Sequence, residues 1–185
     1  MLRIPHGNAL FLDRDGVINQ RPHNDYVKTL AEFQIITGVI ESIAYLSTKY
    51  DPILVVTNQQ GIGKGLMSQD DLNRIHDFMI DKITRGGGRI DKVYHCGDLA
   101  NTESLYRKPA PGMGLKARKD FPSIRFKQSV MVGDTLTDMI FGKNLGMCTV
   151  LIDKNKELSR NYPELINHRY ETLACFTDAL KQTDN

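Results

Sequence analysis

Five short apolar runs constrain this chain more than anything else in it: Ala9–Leu12, Ile53–Val56, Ile90–Tyr94, Ser129–Val132 and Met147–Ile152, each followed by polar or glycine-rich sequence. Brief Val- and Ile-containing runs without polar alternation are the pattern of strands covered on both faces, which points to a parallel sheet. Parallel neighbours cannot be joined by a tight turn and need a crossover, usually helical. The intervening sequence has that character. Val39, Ile40, Ile43, Ala44 and Leu46 form one apolar face before Tyr50-Asp51-Pro52 stops the helix. Leu72, Ile75, Met79, Ile80 and Ile83 form a second, opened by Ser68 with Asp71 three residues on and closed by Gly86-Gly87-Gly88. Further helices are expected from Pro111 to Lys119, from Asp134 to Gly146 and from Thr172 to Leu180. Alternating strands and helices predict an α/β fold with a mainly parallel central sheet. No repeat or long linker divides the chain, so residues 1–185 read as a single domain.

Composition matters mainly for what it excludes. A globule of 185 residues buries roughly 70% of its unfolded surface, so it needs no disulfide or structural metal. Cys96, Cys148 and Cys175 are widely spaced and odd in number, and read as reduced, buried thiols of a cytoplasmic protein. A formal charge of +2 argues against a nucleic-acid-binding surface. Neither a signal peptide nor a membrane-spanning run is evident, and a soluble monomer or weak homo-oligomer is expected.

In open parallel sheets, ligands bind beyond the carboxyl ends of the strands. Here the first strand runs into Asp13-Arg14-Asp15-Gly16, the second into Thr57-Asn58-Gln59-Gln60-Gly61, and the fourth into Gly133-Asp134, with Asp138 one helical turn later. Taken singly, an Asp-x-Asp or a Gly-Asp after a strand also serves as a turn or helix cap. Together on one rim, the carboxylates suit a divalent cation, and the hydroxyl, amide and backbone N–H groups suit phosphate oxygens. Arg14 reads as structural or solvent-facing. The irregular polar segment from Gly16 to Ile36, carrying Asn19, Arg21, Pro22, His23, Asn24, Asp25 and Tyr26, reads as a flap over the site rather than as core.

FLDRDGVIN (Phe11 to Asn19), VVTNQQGIGKG, YRKPAPGM and VMVGDTLTD follow one another in that order over most of the chain. This set resembles the four motifs of the haloacid dehalogenase superfamily of phosphatases. The forms DRDGVIN, TNQ-x-GI and RKP-x-PGM are most similar to the branch that holds heptose 1,7-bisphosphate and histidinol-phosphate phosphatases. The resemblance implies a Rossmann-like three-layer sandwich with no large cap domain and a short flap after the first strand. It makes Asp13 the nucleophile that forms an aspartyl-phosphate and Asp15 the general acid–base. It assigns Mg²⁺ to Asp13, the backbone carbonyl of Asp15, and Asp134. Thr57 and Lys108 would stabilise the phosphoryl group, with Asn58 and Gln59 as neighbouring contacts. Arg107 would meet the rest of the substrate, joined from the flap by Arg21, His23 and Asn24. Asp138 would support Lys108 or a metal-bound water from behind.

The pattern departs from many heptose bisphosphate phosphatases in one place. Those carry a zinc clip of one histidine and three cysteines before the arginine–lysine pair, whereas YHCGDLANTESLYRKP offers His95 and Cys96 alone. A closed structural site needs four ligands, so no zinc is expected. The reaction implied first is hydrolysis of the 7-phosphate of D-glycero-D-manno-heptose 1,7-bisphosphate, and histidinol phosphate is the alternative substrate. A nucleic-acid 3′-phosphatase and a non-catalytic phosphosugar-binding protein follow behind.

Overall fold

The computed structural model describes residues 4–22 and 25–183. Its strands are β1 (Leu10–Leu12), β2 (Ile53–Asn58), β3 (Lys92–Cys96), β4 (Val130–Gly133), β5 (Cys148–Ile152) and β6 (His168–Tyr170). They form one six-stranded sheet in the order β3-β2-β1-β4-β5-β6, with every neighbouring pair parallel. The helices are α1 (Val39–Leu46), α2 (Gln69–Arg85), α3 (Gly112–Asp120), α4 (Leu136–Leu145), α5 (Glu157–Asn161) and α6 (Leu173–Thr183).

Successive strand side chains point to opposite faces, and this divides the core into two layers. Leu10, Leu12, Ile53, Val55, Val130, Val132 and Val150 pack with residues of α1, α2 and α6 on one side. Phe11, Leu54, Val56 and Met131 pack on the other with Met113 and Ala117 of α3 and Phe141 of α4. Burying each large apolar side chain contributes about 1.5–3 kcal/mol relative to leaving it in water. Helix α2 starts where Ser68 and Asp71 exchange bonds: Asp71 N–H donates to Ser68 Oγ at 3.1 Å, and Ser68 N–H to Asp71 Oδ2 at 3.0 Å.

Register positions the chemistry. Leu12 lies opposite both Val55 and Val132, so Asp13, Thr57 and Asp134 lie at nearly the same level. Asp13 N–H still donates to Val132 O at 2.9 Å.

Several expectations need correction. The third strand begins at Lys92, not Ile90, because Asp91 is spent at the strand entrance, its Oδ2 accepting from Ile53 N–H at 2.7 Å. Strand β6 and helix α5 were not expected from apolar patterning. The segment after β1 is core in part: Val17, Ile18, Val27 and Phe33 are buried, while Arg21 and Asp25 stay exposed as a flap. Backbone bonds from Gln20 N–H to Gln34 O and from Ile36 N–H to Ile18 O fold it back on itself. Of the two readings of Arg14, structural or solvent-facing, its full burial bears out the first. Of the cysteines only Cys96 is buried, Cys175 being exposed. Among the described residues, no helix is long and apolar enough to cross a membrane.

Candidate active site

The turn after β1 sets the site's floor. The Arg14 carbonyl accepts from the N–H groups of Ile18 and Asn19 at 2.8 and 3.1 Å, curling the chain under the end of the strand. Gly16 sits in this turn at φ +92°, in the left-handed region, where a side chain is strained. A Cβ there would fall 2.0 Å from Asp134 Oδ2, so glycine is needed both for the turn and for the approach of Asp134 to its backbone.

Lys108 enters from the opposite side. Asn58, at the end of β2, grips its backbone in both directions: Lys108 N–H donates to Asn58 Oδ1 at 2.9 Å, and Asn58 Nδ2 donates to Lys108 O at 3.0 Å. The side chain is then buried, with Nζ donating to Asp13 Oδ1 at 2.8 Å and to Val56 O at 2.7 Å. Asp138 Oδ1 forms an ion pair with the same Nζ at 2.5 Å. The other oxygen of Asp138 accepts from Thr135 N–H at 3.0 Å and from its hydroxyl, capping α4. Asp138, fully buried, thus locks the helix start to the buried ammonium.

One nitrogen marks where a cation belongs. Arg21 Nη2 lies 3.0 Å from Asp15 O, 2.9 Å from Asp134 Oδ1 and 3.6 Å from Asp13 Oδ2. Two carboxylates and a backbone carbonyl therefore converge on a single point already occupied by a positive group. Carboxylate oxygens of Asp13, Asp134 and Asp138 all lie within 4.8 Å of one another. Magnesium takes oxygen ligands at about 2.0–2.1 Å in an octahedron, which puts the ligands ~3–4 Å apart. The donor set fits a hard divalent cation.

The electrostatics agree. Burial, with Asp138 close by, raises Asp13 to about 6 against the pull of Lys108. Burial and Asp13 raise Asp134 to about 8, with Arg21 opposing. Without further positive charge the cluster resists full ionisation, as a site built to receive a cation does. Lys108 is the reverse case: burial alone would lower it, but Asp13 and Asp138 outweigh that and raise it.

The Asp15 carboxylate is held by a separate set of partners. It accepts from Arg14 Nη2 at 2.9 and 3.0 Å, from Asn19 Nδ2 at 2.8 Å and from Gln59 Nε2 at 2.8 Å. Burial pushes its pKa up, yet Arg14, Asn19 and Gln59 together hold it below the ordinary carboxylate value. Gln59 Nε2 also donates to Thr57 Oγ1 at 2.8 Å, linking Asp15 to the hydroxyl at the end of β2.

A cleft of about 270 Å³ opens over these groups, lined by Asp13, Asp15, Arg21, Thr57, Lys108 and Arg107, among others. Asp13, Asp15, Thr57, Lys108, Asp134 and Asp138 are thus brought together, and Arg21 and Arg107 join the wall. Arg107 Nη1 donates to Asp98 O at 3.1 Å. Asn58 and Gln59 spend their amides on Lys108 and on Asp15 and Thr57. His23 and Asn24 lie outside the described residues. Tyr26, which sequence reasoning left without a role, lines the same cleft and accepts from Gln60 Nε2 at 2.5 Å and Lys64 Nζ at 3.0 Å. Its place beside Arg21 in the flap was the available signal. Side chains of His95 and Cys96 leave β3 in different directions: His95 lies against Gln69 and His76, Cys96 against Asp98 and Ser104.

The HAD-hydrolase-like family model matches residues 105–173. The chain is 35% identical to the D-glycero-alpha-D-manno-heptose-1,7-bisphosphate 7-phosphatase of Campylobacter jejuni, covering 92% of this chain and 96% of that one. It is 33% identical to the D-glycero-beta-D-manno-heptose-1,7-bisphosphate 7-phosphatase of Pasteurella multocida, over 94% and 96% of the two chains. The crystal structure of D,D-heptose 1,7-bisphosphate phosphatase from B. bronchiseptica, complexed with magnesium and phosphate, superposes with a TM-score of 0.86. That match has 29% identity and covers 95% of this chain and 99% of that one.

Proposed function

We propose, from the premise that this chain belongs to the haloacid dehalogenase-like family of heptose-1,7-bisphosphate 7-phosphatases, that it is a magnesium-dependent phosphatase removing the 7-phosphate of D-glycero-D-manno-heptose 1,7-bisphosphate. The observation that carries the reading is the convergence of Asp13, Asp134 and the Asp15 carbonyl on one cationic nitrogen, with Lys108 buried alongside. Those three oxygens would hold Mg²⁺ in place of the guanidinium. Bound there, the metal supplies positive charge that offsets repulsion between an anionic nucleophile and an anionic ester.

The chain's own groups do the rest. Asp13 attacks phosphorus and forms an aspartyl-phosphate as the bond to the sugar oxygen breaks; Asp15, ionised in the free site, takes up a proton when the anionic ester binds and opposes the pull of Arg14, and gives that proton to the sugar oxygen. Asp15 then takes a proton from water, whose oxygen attacks the phosphorus and breaks the bond to Asp13, restoring the carboxylate and releasing inorganic phosphate. Lys108 holds Asp13 in place and faces the charge on the transferring group, joined by the Thr57 hydroxyl. Arg107 and Arg21 meet the remainder of the substrate from the cleft wall. A cleft of about 270 Å³ lies below the ~300–1,000 Å³ of drug-sized sites, which suits one phosphoryl group and the adjacent sugar carbons. We read residues 1–185 as one catalytic domain, cytoplasmic, without a nucleic-acid partner, and monomeric or weakly self-associating; the +2 charge supports the third point.

The test is phosphate release from heptose 1,7-bisphosphate, histidinol phosphate, nucleotides and 3′-phosphorylated DNA, with Mg²⁺ and with chelator. The heptose is expected to give the highest kcat/KM, with turnover dependent on Mg²⁺ and absent in Asp13→Asn. Faster turnover of histidinol phosphate would move the assignment to that substrate, and an active Asp13→Asn would end the mechanism.

A further inference from the structure

Beside Asp15 lies an enclosed polar group that the reaction above does not use. Arg14 is fully buried. Its Nη2 donates to both oxygens of Asp15, at 2.9 and 3.0 Å, with Nε 3.2 Å from Oδ1. On its other side Nη1 lies 3.3 Å from His76 Nε2, on helix α2, while the Phe33 ring lies 5.8 Å from the guanidinium carbon. His76 is itself buried and packs against the His95 ring at 5.9 Å between centroids.

The chemistry of this contact allows one arrangement. A guanidinium has donors only, so His76 Nε2 must accept, which leaves its proton on Nδ1 and the ring neutral. Burial, then the charge of Arg14 and the presence of His95, hold His76 down at about 3, in keeping with that state. A buried arginine is costly unless its charge and donors are matched, and here they are matched by one carboxylate and one imidazole. Space-filling alone would be met by an apolar residue. The planar guanidinium instead fixes the plane of the Asp15 carboxylate, which Asn19 and Gln59 then hold from other directions.

We propose that Arg14, held in turn by His76, is a positioning residue for proton transfer to the leaving group: through it, helix α2 sets the orientation of the Asp15 carboxyl. The proposal rests on the reading of Asp15 as general acid–base. Neither residue touches the substrate. His76 keeps the guanidinium from rotating, and the guanidinium keeps the carboxyl group turned to the departing oxygen.

Proton donation matters for a poor leaving group, such as a sugar alkoxide, and little for p-nitrophenolate. The ratio kcat/KM reports events up to departure of that group, so His76→Leu, His76→Gln, Arg14→Lys and Asp15→Asn are compared on heptose 1,7-bisphosphate and on p-nitrophenyl phosphate, with Mg²⁺. Asp15→Asn should lose about 10²–10⁴-fold on the sugar phosphate and far less on the aryl ester. His76→Leu should lose roughly tenfold on the sugar phosphate with the aryl ester nearly unchanged, a split that general loosening of the fold would not produce. In His76→Gln the amide oxygen accepts from Arg14, so most of the loss should be recovered; Arg14→Lys should show the same selectivity with a larger loss. Where His76→Leu does not fold, the Gln and Lys variants decide. Equal losses on both esters, or none, alongside a selective Asp15→Asn would overturn the positioning role. A non-selective Asp15→Asn would instead bring down the acid–base assignment itself.

Discussion

Replacing Lys108 with Met keeps the length of the side chain and removes its charge from a site where only 2% of that side chain is exposed. Two carboxylates, Asp13 and Asp138, with side chains 6% and 0% exposed, lose their shared counter-ion, and the Val56 carbonyl loses its donor. Breaking a buried pair from one side costs about 3–5 kcal/mol, because the remaining charge is uncompensated. In a chain of this size each kcal/mol moves the melting temperature by roughly 2–4 °C, so Tm should fall on the order of 6–20 °C without divalent cation. The deficit should depend on pH. Asp13 already sits near 6 with Lys108 pulling it down, so the variant holds its proton to higher pH and loses less at pH 5 than at pH 8. Turnover should fall about 10²–10³-fold, as for loss of a preorganised charge facing the reacting group. Circular-dichroism melts at both pH values and phosphate release with Mg²⁺ are the measurements. A variant melting within about 2 °C of the parent at pH 8, or with wild-type kcat, would refute the view that this amine holds the site together.

Three further expectations concern the same cluster. The folded pKa values of Asp13 and Asp134, about 6 and about 8, lie above their ordinary 3.8. The metal-free protein should therefore be most stable below about pH 4 as far as these groups are concerned, and lose stability as pH rises through 6 to 8. Added Mg²⁺ should raise Tm more at pH 8 than at pH 5, and a shift independent of pH would count against the assignment. Gly16→Ala should place a methyl group on Asp134 at a backbone angle that costs ~1–2 kcal/mol for an ordinary residue. Calorimetric titration should find Mg²⁺ affinity at least tenfold weaker, and unchanged affinity would mean Asp134 is not a ligand.

The parts of this molecule that sequence made legible are those governed by local periodicity. Strands β1, β2 and β4 each contain an uninterrupted apolar run, and α2 carries both its cap and its apolar stripe. Strand β6, His168–Tyr170, has no such run, since its pairing to β5 rather than its composition defines it. Val17, Ile18, Val27 and Phe33 escape notice for a related reason: isolated apolar residues in an irregular segment have no period, and only tertiary folding collects them. Within the site, Asp13, Asp15, Thr57, Lys108 and Asp134 were readable as polar residues at strand ends or in a distinctive motif. The direction a charged side chain takes was not. Arg14 turns inward to Asp15 and His76, and Arg21 reaches across to Asp134, because each finds there the counter-charge or acceptor that burial demands.

The adjacency of β1 and β4 has a consequence for how such a molecule changes over generations. Asp13 and Asp134 become neighbours through hydrogen-bond register, with no excursion of the chain needed to bring them together. Insertions and deletions between 97 and 106, or beside Asp25 and Tyr26, can therefore redraw what the cleft admits while the hydrolytic apparatus is inherited intact. New preferences among phosphate esters are open to small, local revisions of these rims, whereas shifting either strand by one residue would cost the chemistry altogether.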